Sequence, residues 1–252
     1  MKYNKHQYIE PFKSQLANYN RDWDTDEYTN MWVLDVFKFK TNGFFIEAGA
    51  AGLSDCHVLE KYYSWSGVCV EPHSDSYQEV VEKGRAVVLN KCLYGQSGTV
   101  DFYECSGEIP DKQSKDGHRW APEQLSGIPA HIRPWHLEDV ESTGTVVSKD
   151  AVTIEQLLVD YQFPHTVDLL VLDIEGAEQS VLESLPFDKY RFLAIVIEGG
   201  SEYRRLLYSN GYVMVENPYR QEPYYDFYYI HHSIVDSYPY RVYSLKELDE
   251  IY

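Results

Sequence analysis

Apolar residues along the chain fall into short continuous runs separated by runs at helical spacing. The continuous runs at residues 44–46, 67–70 and 86–89 are typical of buried strands. Between them, apolar side chains at 58–63 lie on one face of a predicted helix, and a second helix is predicted over 74–84. This order of strands and helices indicates a parallel sheet that is covered on both faces.

The second half of the chain continues the alternation. The predicted elements are strands at 167–172, 192–197 and 212–215, and helices at 154–158, 177–185 and 201–210, the first of them opened by a capping box at Thr153–Gln156.

Three segments depart from this alternation. Residues 1–40 are predicted to form an N-terminal helical extension, so that the main domain spans 41–252. Residues 95–98 predict the turn of a hairpin before a strand at 99–103. Residues 104–149 are rich in proline, glycine, histidine and tryptophan, and predict an insertion without regular structure that is a candidate lid over an acceptor.

The composition limits the classes of partner. The 252 residues suffice for one domain with a full core, and 40 acidic against 22 basic residues give a net charge of −18, which repels nucleic acid and anionic membranes. The apolar runs are too short to cross a bilayer, and the first ten residues lack the apolar core of a signal peptide. None of the four cysteines forms a Cys-x-x-Cys pair, which fits a reducing compartment. Together with the absence of an apolar leader, this favours a cytoplasmic protein. The sequence indicates no oligomeric state.

A glycine-rich turn follows the first predicted strand and can present backbone N–H groups to a ligand. The dinucleotide fingerprint Gly-x-Gly-x-x-Gly is incomplete, because only Gly49 and Gly52 remain and Glu47 takes the position of the first glycine. A carboxylate there repels a pyrophosphate and suits S-adenosylmethionine, which carries an ammonium and a sulfonium. Glu71, at the end of the second strand, can accept hydrogen bonds from both ribose hydroxyls.

Acidic residues also end the later strands. Asp173 and Glu198 are expected at the same carboxyl edge of the sheet as the two earlier acids, with Glu175 close behind. These side chains can bind the hydroxyl groups of an acceptor, and one can remove a proton, so Asp173, Glu175 and Glu198 are the candidate catalytic residues. Asp173 and Glu198 can instead share a divalent ion, Mg²⁺ or Mn²⁺.

Three blocks of residues, with their order and spacing, resemble the FkbM-type methyltransferases. The blocks are Phe44–Ala50, Gly67–Pro72 and Asp173–Glu178, and the resemblance covers roughly 44–103 and 150–216. It implies a class I, Rossmann-like α/β fold, a three-layer sandwich in which helices cover both faces of a mostly parallel seven-stranded sheet. It also implies S-adenosylmethionine as cofactor and O-methylation of a hydroxyl on a sugar, a glycan or another small acceptor.

The resemblance assigns roles to individual positions. Glu47 and Gly49 are expected beside the methionine part of the cofactor, and Lys91 or Cys92 beside the adenine. The full set of predicted cofactor-binding residues is Glu47, Gly49, Ala50, Gly52, Ser54, Glu71, Pro72, Lys91, Cys92 and Asp173.

The insertion and the tyrosine-rich tail at 219–243 are the expected acceptor side, and aromatic faces suit a sugar. The candidates for a closing lid are His118, Trp120, Trp135 and His136. Three other interpretations compete with methyl transfer to a small acceptor. The glycine turn and its acids disfavour a non-catalytic scaffold that retains the fold, Glu47 disfavours an NAD-dependent oxidoreductase, and the net charge disfavours a nucleic-acid methyltransferase.

Overall fold

The computed structural model describes residues 27–50, 56–85, 87–107, 121–199, 202–219 and 226–252. The predictions for the first 26 residues, for Gly52 and Ser54, and for His118 and Trp120 lie outside these ranges.

Strands alternate with helices along most of the described chain. The strands are β1 (Phe44–Ala48), β2 (Ser66–Val70), β3 (Val88–Leu89), β4 (Cys92–Leu93), β5 (Gly98–Cys105), β6 (Gly144–Val152), β7 (Thr166–Leu172), β8 (Arg191–Glu198), β9 (Tyr212–Val215) and β10 (Asp226–His231). Seven of them form one sheet in the order β3-β2-β1-β7-β8-β10-β9. β10 runs antiparallel to both neighbours, and the other pairs are parallel, which confirms the predicted mostly parallel sheet.

Helices cover both faces of this sheet, as predicted. The α-helices are α1 (Glu27–Val36), α2 (His57–Tyr63), α3 (Ser74–Glu82), α4 (Leu137–Thr143), α5 (Ile154–Asp160), α6 (Glu178–Ser184), α7 (Arg204–Ser209) and α8 (Leu245–Ile251), with 3₁₀ turns at Pro122–Leu125 and His232–Ser237. Ile46 and Leu170 lie on the face that packs against α5 and α6, whereas Phe45 and Leu169 lie on the face that packs against α1 and α2. Within the described ranges, no helix has both the length and the apolar character that crossing a bilayer requires.

The central strands are apolar at almost every position because both of their faces are covered. Every residue of β7 after Thr166 is buried. The polar exception is Asp168, whose carboxylate accepts hydrogen bonds from Lys40 Nζ at 2.6 Å and from the backbone N–H of Phe44 at 2.9 Å. Each buried aliphatic side chain contributes about 1.5–3 kcal/mol, so these strands hold the fold together.

A second, three-stranded sheet corrects two expectations for the region between residues 95 and 149. Its order is β4-β6-β5, so β4 and β5 both pair with β6, and the predicted turn at 95–98 joins no hairpin. Part of the segment predicted to lack regular structure forms α4 and β6. The apolar pattern did not indicate β6, because most of its side chains are exposed or half-buried and its antiparallel partner β5 is distant in sequence.

The tyrosine-rich tail packs against α1 on the second face of the sheet. Tyr228 lies on Trp32 with ring centroids 4.8 Å apart, and Trp32 Nε1 donates a hydrogen bond to the Tyr238 hydroxyl at 2.9 Å. The Tyr238 hydroxyl in turn donates to the carbonyl of Glu216. All three aromatic side chains are buried, so this part of the tail packs the core and does not form the acceptor side that the sequence predicted for it.

We predict that Tyr238→Phe lowers the free energy of unfolding by about 1–3 kcal/mol, because the buried Trp32 indole N–H loses its acceptor. Urea denaturation followed by fluorescence measures this difference. Tyr161→Phe is the control, since Tyr161 is 40% exposed and its change should stay within about 0.5 kcal/mol of the wild type. Equal losses for the two variants would contradict the role given to the Tyr238 hydroxyl.

Candidate functional site

A cavity opens at the carboxyl ends of β1, β2, β7 and β8. Its volume is about 750 Å³ including the open mouth, which is within the range of small-molecule sites. It is lined by Gly49, Val70, Glu71, Pro72, Cys92, Leu93, Phe102, Glu123, Gln124, Ser126, Ile128, Asp173, Ile174, Glu175, Ala177 and Glu198. In open α/β sheets, ligands bind at this edge, where the strand order reverses, and here the reversal lies between β1 and β7.

The backbone at Gly49 passes very close to the backbone at Asp173. Gly49 has a φ of +84°, and a Cβ atom at this position would lie 1.5 Å from the carbonyl oxygen of Asp173. The Asp173 N–H donates to the carbonyl of Ala48 at 3.0 Å, so the two strand ends remain joined just before they separate. Only a residue without a side chain fits between them, which explains the first glycine of the predicted turn.

The loop after β7 holds two residues in the left-handed region of backbone conformation. Glu175 has a φ of +56° and Gly176 a φ of +109°. Buried Glu178 fixes this loop, because its Oε1 atom accepts hydrogen bonds from the backbone N–H groups of Ile174 at 3.0 Å and of Gly176 at 3.3 Å. A non-glycine residue with positive φ is sparsely populated and is found most often at functional sites, and this one borders the cavity.

Three carboxylates meet in the cavity, where Asp173 is exposed and Glu175 and Glu198 are half-buried. One oxygen from each of Asp173, Glu175 and Glu198 lies within 4.8 Å of the others. Desolvation raises the pKa of all three groups above their ordinary values, and neighbouring negative charges raise them further. The pKa of Glu198 is raised to about 8. Raised pKa values favour the protonated forms, so the cluster can bind a cation or act as a base.

Arg133 supplies a positive charge to this cluster. Its Nη2 atom donates to Glu198 Oε2 at 2.9 Å, and the two side chains are 12% and 11% exposed. This contact opposes the rise in the pKa of Glu198 that burial and Glu175 cause. The guanidinium also packs against the backbone of Gly199, where a Cβ atom would lie 2.8 Å from Nη2. The pair therefore joins the end of β8 to the chain around Arg133.

Glu71 lies on the opposite side of the cavity, directly after β2. It is 3% exposed, and its Oε1 atom accepts a hydrogen bond from the backbone N–H of His73 at 2.8 Å. Pro72 and Cys92 line the cavity beside it. These three predicted cofactor-binding residues are thus brought together with Gly49 and Asp173 around one space.

Glu47 lies elsewhere, and this corrects the expectation that its carboxylate faces the ligand. Side chains alternate along β1, so Glu47 shares the face of Phe45 and is 1% exposed. Its Oε2 atom is 3.0 Å from Arg85 Nη1, and its Oε1 atom accepts the backbone N–H of Cys56 at 3.2 Å. Glu47 therefore anchors the chain that follows the glycine turn and does not line the cavity.

Two other predicted cofactor residues also lie outside the lining. Ala50 packs with Cys69 and Val80 in a small buried cluster. Lys91 points towards Asp150, with 3.8 Å between Nζ and Oδ2, because it immediately precedes β4 and faces away from buried Cys92. Of the pair expected at an adenine, the structure brings only Cys92 to the cavity.

Residues 121–136, here called the cover segment, form the remaining wall. They contribute Glu123, Gln124, Ser126 and Ile128 to the lining. Three contacts hold this wall: Tyr103 N–H donates to Gly127 O at 2.8 Å, Cys105 N–H donates to Ser126 Oγ at 3.0 Å, and the Tyr94 hydroxyl is 3.1 Å from His131 Nε2.

Arg133 and the lining residues of the cover segment were not among the residues predicted from the sequence. Of the four predicted lid residues, Trp135 and His136 lie within the described ranges, where Trp135 is 66% exposed and neither residue lines the cavity. The available signal was Arg133 itself, the one arginine or lysine within 121–136, but its partner Glu198 is remote in sequence.

Comparison with known proteins bears on the class of ligand. A family model described as the methyltransferase FkbM domain matches residues 47–214, more than half of the chain. No curated protein matches the chain at a significant level.

Two solved structures share the general outline. A TehB-like SAM-dependent methyltransferase from Corynebacterium glutamicum is 10% identical, with 90% of this chain and 95% of that chain covered and a TM-score of 0.36. A protein described as an RNA methyltransferase from Pyrococcus horikoshii is 7% identical, with 92% and 99% covered and a TM-score of 0.37. At such TM-scores, the assignment of this chain follows from the family model.

We predict that Gly49→Ala weakens the binding of S-adenosylhomocysteine at least about tenfold, because the new methyl group must displace the Asp173 carbonyl from the cavity wall. Gly84→Ala is the matched control: Gly84 also has positive φ, at +78°, but no atom lies within 4 Å of a Cβ there. Isothermal titration calorimetry measures both affinities. Equal affinities in the two variants would show that the contact with Asp173 does not matter for binding.

Proposed function

The chain belongs to the FkbM family of S-adenosylmethionine-dependent methyltransferases, and from this premise we propose that it methylates a hydroxyl oxygen on a sugar, a glycan or another small acceptor. The observation that carries the proposal is the meeting of Asp173, Glu175 and Glu198 in the cavity beside Gly49. Carboxylates accept hydrogen bonds from hydroxyl groups and can take their protons.

The proposal gives each part of the cofactor a neighbour. Its ribose lies at Glu71, its methionine part beside Gly49, and its adenine beside Cys92. The positive sulfonium then lies on the side of the cavity where the three carboxylates are, which offsets part of their mutual repulsion. A dinucleotide would instead bring a pyrophosphate towards the same carboxylates.

In the proposed reaction, the acceptor oxygen attacks the methyl carbon in line with the carbon–sulfur bond. The new C–O bond forms as the C–S bond breaks. The electron pair of the C–S bond stays on sulfur, and the sulfonium becomes the thioether of S-adenosylhomocysteine. The hydroxyl proton passes to one of Asp173, Glu175 and Glu198. Raised pKa values strengthen these groups as bases once they are ionised. Holding the two reactants in line can supply roughly 7–11 kcal/mol of the barrier.

The charge of the chain favours an uncharged acceptor. The net charge of −18 disfavours nucleic acid at long range, and the acidic cluster disfavours a phosphate or a carboxylate next to the reacting hydroxyl. Neutral polyhydroxyl compounds are repelled neither by the net charge nor by the acidic cluster, which supports a sugar or glycan as the acceptor.

The test is a screen of neutral sugars and glycans with S-adenosylmethionine labelled in its methyl group, read by mass spectrometry. We expect labelled O-methyl product from at least one neutral acceptor. Asp173→Ala should lower turnover of that acceptor by about a hundredfold or more, as for loss of a general base, while cofactor affinity changes much less. Asp160→Ala, at the exposed end of α5, is the control and should keep wild-type turnover.

Two results would count against the proposal. If Asp173→Ala keeps full turnover, the active centre does not lie at these three carboxylates. Cofactor binding without transfer to any acceptor in the screen would instead favour the alternative, a binding or scaffold protein that retains the methyltransferase fold.

A divalent ion is the alternative to protons at the same three carboxylates. Oxygen donors suit Mg²⁺ and Mn²⁺, and Glu175 adds a third donor to the predicted pair, Asp173 and Glu198. Acidic clusters are also common without metal. If methyl transfer stops in EDTA and returns when Mn²⁺ is added, the three carboxylates bind a metal ion. If methyl transfer is unchanged in EDTA, one of the carboxylates accepts the hydroxyl proton without a metal ion.

A further inference from the structure

Asn90 holds the turn that carries Glu71. Its side-chain Nδ2 atom donates hydrogen bonds to the backbone carbonyls of Glu71 and Pro72, each at 3.0 Å. Lys149 Nζ lies 3.4 Å from Asn90 Oδ1, which fixes the orientation of the amide so that its nitrogen faces the two carbonyls. One amide therefore spans the first two residues of the turn after β2.

Lys149 extends this contact to the start of α3. Its Nζ atom donates to Ser74 Oγ at 2.9 Å and pairs with Glu104 Oε1 at 2.7 Å. The same Glu104 oxygen accepts the backbone N–H of Ser74 at 2.8 Å and its hydroxyl at 2.6 Å. The Lys149 side chain is only 10% exposed, so the network is a packed part of the fold.

The turn also holds the carboxylate that it presents. The backbone N–H of His73 donates to Glu71 Oε1, so a shift of the turn moves this carboxylate. The His73 ring is fixed in turn, with Nε2 3.0 Å from the carbonyl of Cys105 on β5. The second sheet thus contacts this segment through Lys149 on β6 and through Cys105 on β5.

We infer that Asn90 and Lys149 are positioning residues for the cofactor, which hold the turn so that Glu71 faces the ribose. This inference rests on the placement of the ribose at Glu71 in the proposed function. Neither Asn90 nor Lys149 lines the cavity, and their hydrogen bonds connect them to the turn and to the start of α3. Strand β6 of the second sheet begins in the segment that the sequence assigned to the acceptor. In this inference β6 also supports the cofactor site.

The test measures the affinity for S-adenosylhomocysteine by isothermal titration calorimetry. Asn90→Ala should weaken binding about five- to tenfold through the loss of two hydrogen bonds, and Asn90→Asp should weaken it more, because a carboxylate would face two carbonyls. Lys149→Met should act in the same direction. Asn210→Ala is the matched control, since Asn210 Nδ2 also donates to a backbone carbonyl, that of Leu206 at 2.9 Å, at the end of α7.

A double-mutant cycle of Asn90→Ala with Glu71→Gln shows whether Asn90 affects cofactor affinity by positioning Glu71 or by stabilising the fold in general. If Asn90 acts through Glu71, adding Asn90→Ala to Glu71→Gln should weaken binding by less than about twofold. Thermal unfolding of the ligand-free variants is measured alongside, and Asn90→Ala should not differ from Asn210→Ala.

Each other outcome identifies which statement fails. If Glu71→Gln binds S-adenosylhomocysteine weakly but Asn90→Ala binds it with wild-type affinity, Asn90 has no positioning role. The placement of the ribose at Glu71 is then unaffected. Glu71→Gln with wild-type affinity would overturn the ribose placement and the inference with it. Fully additive losses, with a lower melting temperature for Asn90→Ala, would make Asn90 a general stabilising residue and overturn its positioning role.

Discussion

The site depends on one close approach, where the backbone of Gly49 meets the carbonyl oxygen of Asp173. Parallel strands β1 and β7 are hydrogen-bonded up to Ala48 and then separate, and the cavity lies where they part. Because no side chain fits between them, Asp173 and the loop after it stay at the cavity wall. The same loop, fixed by buried Glu178, brings Glu175 next to Asp173.

Charge balance explains which ligand such a site suits. Three carboxyl groups lie near one arginine in the cavity, and desolvation together with their mutual proximity raises their pKa values. A sulfonium cofactor supplies the missing positive charge in the proposed complex. Glu47 contributes nothing to this balance, because Arg85 pairs with it inside the helical layer. The proposed preference for a cation therefore rests on Asp173, Glu175 and Glu198 and no longer on Glu47.

The parts of the fold that could be predicted were those that produce a local pattern. Strands such as β7 are buried on both faces, and their continuous apolar runs mark them without any tertiary information. The mostly exposed strand β6 has no such run, and its pairing with β5 is a long-range contact. In the site, acids directly after strands could be placed at the sheet edge. Glu47 could not, because a shift of one residue within a strand reverses the face of its side chain. The pair of Arg133 with Glu198 joins distant segments and left no pattern in the sequence.

The central claim is that the cavity beyond β1 and β7 holds S-adenosylmethionine, and a crystal structure with bound S-adenosylhomocysteine tests it most directly. The account predicts density beside Gly49 with both ribose hydroxyls within hydrogen-bond distance of the Glu71 carboxylate, and with the sulfur on the side of Asp173 and Glu198. A cavity that stays empty at saturating ligand, or that takes up a dinucleotide in its place, would contradict the account.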